Sequence, residues 1–85
     1  MVYEIKWTQI AAKQFGRLDK IIQKRIINKL EEIIDNPFLY VTRLVGFDLY
    51  KIRVGDYRVI LGIEKNTLVI LVLKIGHRSK IYKDL

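Results

Sequence analysis

The sequence contains no cysteine, and only one histidine, one proline and one tryptophan among its 85 residues. Without cysteine the protein can form neither disulfide bonds nor thiolate zinc sites, which fits a reducing cytoplasm. A single histidine with scattered carboxylates provides no cluster at the spacing of metal ligands. We therefore expect a cytoplasmic protein that needs no metal ion and no other cofactor.

Long hydrophobic segments are also missing. The longest apolar run extends from Leu68 to Leu73, far below the roughly 20 residues that a membrane-spanning helix needs. Residues 1–6 lack the basic region followed by an apolar stretch that marks a signal peptide. These two absences predict a protein without a membrane partner.

Positive charge, in contrast, is in excess. The chain has 16 Lys and Arg against 9 Asp and Glu, a formal net charge of +7. Residues 1–36 carry 7 against 5, whereas residues 37–85 carry 9 against 4, so the second half is the more basic. A small protein with this charge is expected to bind a polyanion, most often a nucleic acid. The alternative is a basic protein whose charge serves only solubility.

Two helices are expected in the first half of the chain, after a short alternating strand at residues 2–7. The first helix covers about 8–18, with Thr8 as its N-cap. The second covers about 19–35, where apolar residues recur at helical spacing until Pro37 prevents continuation. The two helices should form a hairpin with one apolar face that needs a cover.

Three strands are expected in the second half, at about 48–54, 57–64 and 67–75, after a loop or an irregular strand entry at 38–47. A two-residue turn, Lys65-Asn66, joins the last two. The last strand is apolar on both faces, which predicts a central position in the sheet. The whole chain is therefore predicted to be a single α+β domain in the order β-α-α-β-β-β. Its helical hairpin should pack on one face of a mainly antiparallel four-stranded sheet.

The segment Tyr50–Arg58 predicts a β-hairpin with Gly55-Asp56 as its two-residue turn. In such a hairpin Arg53 lies directly opposite Arg58, and Lys51 projects from the same face. Like charges in directly opposite positions are destabilising. We therefore infer an anion between them, for which phosphate is the natural partner of an arginine fork. The alternative is a solvated strand face.

Several segments follow one another in a recognisable order, namely an initial strand, Trp7–Leu18, a long helix closing in Asn36-Pro37, Arg43–Gly46, Tyr50–Arg53, Gly55–Ile60 and Gly76–Tyr82. In this order and spacing the chain resembles the RelE-type toxins of the RelE/ParE superfamily. These proteins are the toxin halves of bacterial and archaeal toxin–antitoxin pairs. The resemblance covers nearly the whole chain, and each segment alone is a weak pattern.

The resemblance implies a metal-free endoribonuclease that enters the ribosomal A site and cuts mRNA by attack of a 2′-hydroxyl on the adjacent phosphate. It implies the ribosome, mRNA and a small RelB-like antitoxin as partners, with operator DNA, reached through the antitoxin, as a further candidate. Carried over position by position, the catalytic residues are Lys51, Arg53, Arg58, Arg78 and Tyr82. The remaining basic residues of the last strand and the tail are predicted to bind RNA or rRNA, namely Lys74, His77, Lys80 and Lys83.

These residue types suit the chemistry. Charge builds on the phosphate oxygens during in-line attack, and fixed guanidinium groups stabilise it, a role for Arg53, Arg58 and Arg78. Lys51 is a candidate general base, because surrounding positive charge favours loss of its proton. Tyr82 could stack on a base or transfer a proton.

Other interpretations remain open. His77 is a second titratable candidate, but His77 and Tyr82 could instead pack the tail onto the sheet. Arg78 and Lys80 could form a basic tail that binds rRNA phosphate. A gyrase-binding toxin of the ParE branch would use the same scaffold without RNase chemistry, and an inactive toxin could act only as an antitoxin-bound DNA co-repressor.

Overall fold

The computed structural model describes residues 2–81. Two predicted site residues, Tyr82 and Lys83, lie outside this range. The elements in chain order are β1 (Glu4–Trp7), α1 (Gln9–Gly16), α2 (Lys20–Ile33), a 3-10 turn (Pro37–Leu39), β2 (Thr42–Arg43), β3 (Tyr50–Val54), β4 (Tyr57–Glu64) and β5 (Val69–His77). No helix in the described part of the chain has both the length and the apolar character that a membrane crossing requires.

The strands form one mixed sheet in the order β1-β5-β4-β3-β2. β1 runs parallel to β5, and the other neighbours are antiparallel. β5 is flanked on both sides, which its two apolar faces predicted. The α+β class and the helical hairpin on one face of the sheet are confirmed. The sheet has five strands rather than the predicted four.

The additional strand, β2, lies in the segment that was predicted to be a loop or an irregular strand entry. Residues 42–43 pair antiparallel with residues 50–51, and the Leu44 N–H donates to the Leu49 carbonyl at 2.9 Å across the intervening loop. A strand of two residues shows no alternation that a sequence pattern could register. Its pairing depends on the tertiary position of β3. The prediction of four strands was therefore wrong in the number of strands, because no local pattern reveals β2.

Thr8 is the N-cap of α1, as predicted. The Thr8 hydroxyl accepts a hydrogen bond from the Ala11 N–H at 3.1 Å, as an N-cap does. The same hydroxyl donates to the Leu73 carbonyl at 3.1 Å, which ties the start of the helix to β5. Asp19 occupies the N-cap position of α2, but its side chain forms no capping hydrogen bond.

β4 and β5 are joined by the four residues 65–68, so the prediction of a two-residue turn was wrong. Leu68 has a φ of +55°, a left-handed conformation that costs a leucine about 1 kcal/mol or more. Its carbonyl accepts a hydrogen bond from the Glu4 N–H at 2.8 Å. This contact with a distant segment begins the parallel pairing of β1 with β5, and no local pattern encodes it.

Hydrophobic clusters lie on both faces of the sheet. The larger one, between sheet and helices, contains Ala11, Ile26, Leu30, Ile33, Ile52, Val54, Val59, Leu61, Ile70, Val72 and Ile75. The smaller one, on the opposite face, consists of Leu44, Ile60 and Ile81 with Leu49 and Leu73 packed against them. Ile81 folds back over Gly76, where a Cβ atom would lie 3.0 Å from the Ile81 Cδ1 atom. A glycine at this position therefore allows the start of the tail to pack on the face opposite the helices.

Candidate active site

The hairpin of β3 and β4 has the predicted register. Arg53 lies opposite Arg58, and Lys51 lies opposite Ile60. Gly55 has a φ of +60°, the left-handed conformation that glycine adopts without strain at the first position of a two-residue turn. Because side chains alternate along a strand, Lys51, Arg53 and Arg58 leave the sheet on the face opposite the helices.

A cleft of about 330 Å³ lies at the edge of β3. Lys51, Arg53 and Arg58 all line it, so the structure brings together three of the predicted catalytic residues. The other lining residues are Lys29, Tyr40, Thr42 and Ile52. We call this cavity the basic cleft.

Arg58 has an unpaired donor in this region. Its Nη1 atom is shielded from solvent and has no hydrogen-bond partner within the described chain. A shielded donor without an acceptor costs about 1–3 kcal/mol, and more when it is charged. Arg53 differs, since it is exposed and its Nε donates to the Gly55 carbonyl at 3.1 Å. A phosphate bound in the basic cleft would contact the side chain of Arg58, which lines the cleft.

Lys51 and Lys74 lie on either side of Ile60 in the sheet. Lys51 pairs with Ile60 from β3, and Lys74 pairs with it from β5. Both lysines are half-buried, and Ile60 is fully buried. The two lysines therefore flank a buried apolar position that belongs to the smaller hydrophobic cluster.

The described part of the tail begins next to the hairpin turn. The Arg78 N–H donates to the Asp56 carbonyl at 2.8 Å, and the Arg78 side chain is exposed. Arg78 therefore lies at the end of the sheet where Arg53 and Arg58 also lie, but it does not line the basic cleft. Lys80 is exposed, and its N–H donates to the His77 carbonyl at 2.9 Å.

His77 is separated from the three cleft cations. It pairs with Tyr57, the neighbour of Arg58 along β4, so alternation places it on the opposite face of the sheet from Arg58. Its ring contacts the Tyr57 ring edge-on at 5.7 Å between centroids, and its Nδ1 atom lies 2.9 Å from the Ser79 hydroxyl. An RNA contact of His77 would have to form away from the basic cleft.

Sequence reasoning did not identify two residues of the basic cleft, Lys29 and Tyr40. Lys29 belongs to α2, where its position reads as helix-surface charge, and its Nζ lies 3.7 Å from a carboxylate oxygen of Glu32. The same Nζ lies 5.8 Å from the centroid of the Tyr40 ring. No local signal marks either residue, because only the packing of α2 against β3 brings them to the cleft.

With the fold and the basic cleft described, the sequence can be compared with known protein families. Residues 5–82 match the family described as "ParE toxin of type II toxin-antitoxin system, parDE". The match covers most of the chain, which therefore belongs to this family of type II toxins.

Its relatives place the chain among the RelE-type toxins of the RelE/ParE superfamily. It is 34% identical over 83 residues to a putative RelE-like toxin protein of Escherichia coli, covering 94% of this chain and 87% of that one. It is 26% identical over 89 residues to the mRNA interferase toxin RelE of Escherichia coli strain K12, covering 99% and 94%. The toxin in the archaeal RelE–RelB complex from Pyrococcus horikoshii superposes with a TM-score of 0.81 at 30% identity, covering 94% and 99%. The predicted superfamily is thus confirmed.

Proposed function

We propose that this toxin is a ribosome-dependent endoribonuclease that cuts mRNA in the ribosomal A site. The observation that carries the proposal is the basic cleft, which Lys51, Arg53 and Arg58 line together, and the shielded Nη1 of Arg58 has no acceptor among residues 2–81. Such a site favours an anion with several acceptor oxygens, and an RNA phosphate has them. The activity named for the RelE relative, an mRNA interferase, supports this choice of anion.

The proposed reaction is an internal transfer at phosphorus that needs no metal ion. The 2′-oxygen of one nucleotide bonds to the adjacent phosphorus as its proton leaves, and the bond from phosphorus to the 5′-oxygen of the next nucleotide breaks. The products are a 2′,3′-cyclic phosphate and a 5′-hydroxyl, which takes up a proton. Atoms and charge balance without a co-reactant.

The three hairpin cations, Lys51, Arg53 and Arg58, each have a role in this reaction. Arg58 and Arg53 stabilise the charge that develops on the non-bridging phosphate oxygens, because their guanidinium groups are fixed by the hairpin before the reaction begins. Lys51 is the general base for the 2′-hydroxyl. Arg78 contributes a further positive charge from the end of the sheet. Tyr82, which lies outside the described residues, remains a prediction as a stacking or proton-transfer group.

A translation assay with purified ribosomes tests the proposed function. We expect the toxin to cut ribosome-bound mRNA at the A-site codon and to leave DNA gyrase active. The ParE family match supports a second candidate function, in which the toxin binds gyrase and cuts no RNA. Gyrase poisoning without mRNA cleavage would establish that candidate. Neither effect would indicate an inactive toxin that acts only as a DNA co-repressor with its antitoxin.

We also propose a small, acidic, RelB-like antitoxin as the cytoplasmic partner, through which operator DNA would be reached. A chain of this kind that folds on binding could cover the basic face of a toxin with a net charge of +7. Co-expression with the product of the neighbouring reading frame is expected to yield a co-purifying complex and to restore growth. Absence of a complex together with unrelieved toxicity would contradict the proposed partner.

A further inference from the structure

The aromatic residue that lines the basic cleft, Tyr40, has no role in the chemistry proposed above. Its side chain is 42% exposed although it belongs to a well-anchored segment. Pro37, which begins this segment, is fully buried, and the Tyr40 N–H donates to the Pro37 carbonyl at 3.0 Å. The Phe38 ring packs edge-on against Tyr50 at 5.5 Å between centroids. The backbone therefore holds Tyr40 in place while its ring remains accessible.

The ring lies among cations on the wall of the cleft. Lys29 places its Nζ 5.8 Å from the ring centroid, within the range of a cation–π interaction. Lys51, Arg53 and Arg58 line the same cavity. An accessible aromatic ring next to a row of Lys and Arg side chains is the combination with which proteins bind single-stranded RNA, since the cations attract phosphates and the ring stacks on a base.

Further cations lie next to the basic cleft, towards the turn between β3 and β4. A second cleft of about 310 Å³ shares Lys29 and Arg53 with the basic cleft and adds Arg25, together with one carboxylate, Glu32, which lies 3.7 Å from the Lys29 Nζ. Arg25 Nη1 lies within 3.8 Å of the position of a Cβ atom on Gly55, so this side chain reaches the hairpin turn from α2. An RNA strand whose scissile phosphate lies at Arg58 would therefore find further cations across the edge of β3, with Tyr40 beside its path.

We propose that Tyr40 is a specificity-determining residue that stacks on the mRNA nucleobase adjacent to the scissile phosphate. Lys29, whose ammonium group also pairs with Glu32, is a positioning residue, because it holds the ring from α2. This inference rests on the proposed RNase function. In this arrangement the Tyr40 ring contacts a base, whereas Lys51, Arg53 and Arg58 contact only phosphate.

Codon-resolved cleavage on ribosomes tests this inference. Tyr40→Leu removes the aromatic ring but keeps an apolar side chain of similar reach, and it is expected to lower the cleavage rate at saturating toxin about 10- to 100-fold. The loss should differ between A-site codons, because bases differ in stacking strength. Tyr40→Phe and Tyr40→Trp keep the ring and should stay within about threefold of the wild type.

Phe47→Leu is the matched control, since Phe47 is similarly exposed at 46% but lines neither of the two clefts. It should cut at the wild-type rate. Thermal unfolding of each variant checks that the fold is retained.

Three outcomes would overturn the inference while leaving the proposed function intact. Wild-type cleavage by Tyr40→Leu would remove any role for the ring. A higher KM for ribosomes with unchanged codon ratios would assign the ring to rRNA rather than to mRNA. Normal cleavage with loss of antitoxin binding would assign it to the antitoxin interface. A wild-type protein that cuts no mRNA on ribosomes would instead refute the proposed function itself, and this inference with it.

Discussion

Replacing Arg58 with alanine is expected to lower ribosome-dependent mRNA cleavage by at least about a hundredfold, the usual cost of removing one fixed donor to a developing oxyanion. The protein should remain folded and become slightly more stable. The substitution removes a shielded N–H that has no acceptor in the described part of the chain, and it relieves the repulsion between Arg58 and Arg53. Single-turnover cleavage measures the first effect, and urea denaturation measures the second.

Two further substitutions make the Arg58 experiment specific. Arg17→Ala makes the same chemical change at an exposed position after α1, away from the basic cleft, and should leave cleavage unchanged. Arg58→Lys keeps the charge but loses the two-pronged geometry, so its rate should lie between those of the wild type and Arg58→Ala. A folded Arg58→Ala protein that cuts mRNA at the wild-type rate would contradict the assignment of the active site.

Free RNA is expected to be cut at least about a thousandfold more slowly than mRNA in the ribosomal A site. The basic cleft supplies positive charge, but neither a histidine nor a carboxylate is among its described lining residues. The cleft therefore offers no imidazole or carboxylate base to compensate for a poorly aligned 2′-hydroxyl. We therefore expect the ribosome to hold the mRNA for in-line attack, and alignment of this kind accounts for several orders of magnitude in rate. Gel analysis of one labelled RNA, free and ribosome-bound, measures the ratio.

The residual cleavage of free RNA also tests the metal-free mechanism. Addition of EDTA should leave this residual cleavage unchanged. Arg58→Ala should abolish the residual cleavage, which would show that the toxin itself cuts the free RNA. Efficient cutting of free RNA would argue against ribosome dependence. Loss of the residual cutting in EDTA would argue for a metal ion.

The register of the hairpin illustrates what local sequence could determine about this protein. A Gly-Asp pair permits a two-residue turn, and a two-residue turn fixes every opposing pair that follows it. The facing Arg53 and Arg58, with Lys51 on the same face, could therefore be placed correctly from the order of the residues alone. The Thr8 cap and the central position of β5 were predictable for similar reasons, since each depends on a pattern within a few consecutive residues.

Segments whose conformation depends on distant partners could not be predicted in this way. β2 exists because β3 offers it an open edge, and Leu68 adopts a positive φ where its carbonyl meets Glu4. The face on which His77 lies follows from its pairing with Tyr57, in a ladder whose register shifts between Ile60 and Leu61. Such shifts invert which side chains share a face.

The candidate active site shows the same distinction between local sequence pattern and tertiary packing. The sequence by itself determined the facing arginine pair of the hairpin and, through the resemblance, the type of toxin, because both depend on the order and spacing of nearby residues. Only the tertiary structure decided what surrounds that pair. It placed Lys29 from α2 and Tyr40 from the 3-10 turn at the edge of β3, and it shielded one guanidinium nitrogen of Arg58. Burial and proximity arise when elements far apart in sequence pack together, and no local pattern encodes that packing.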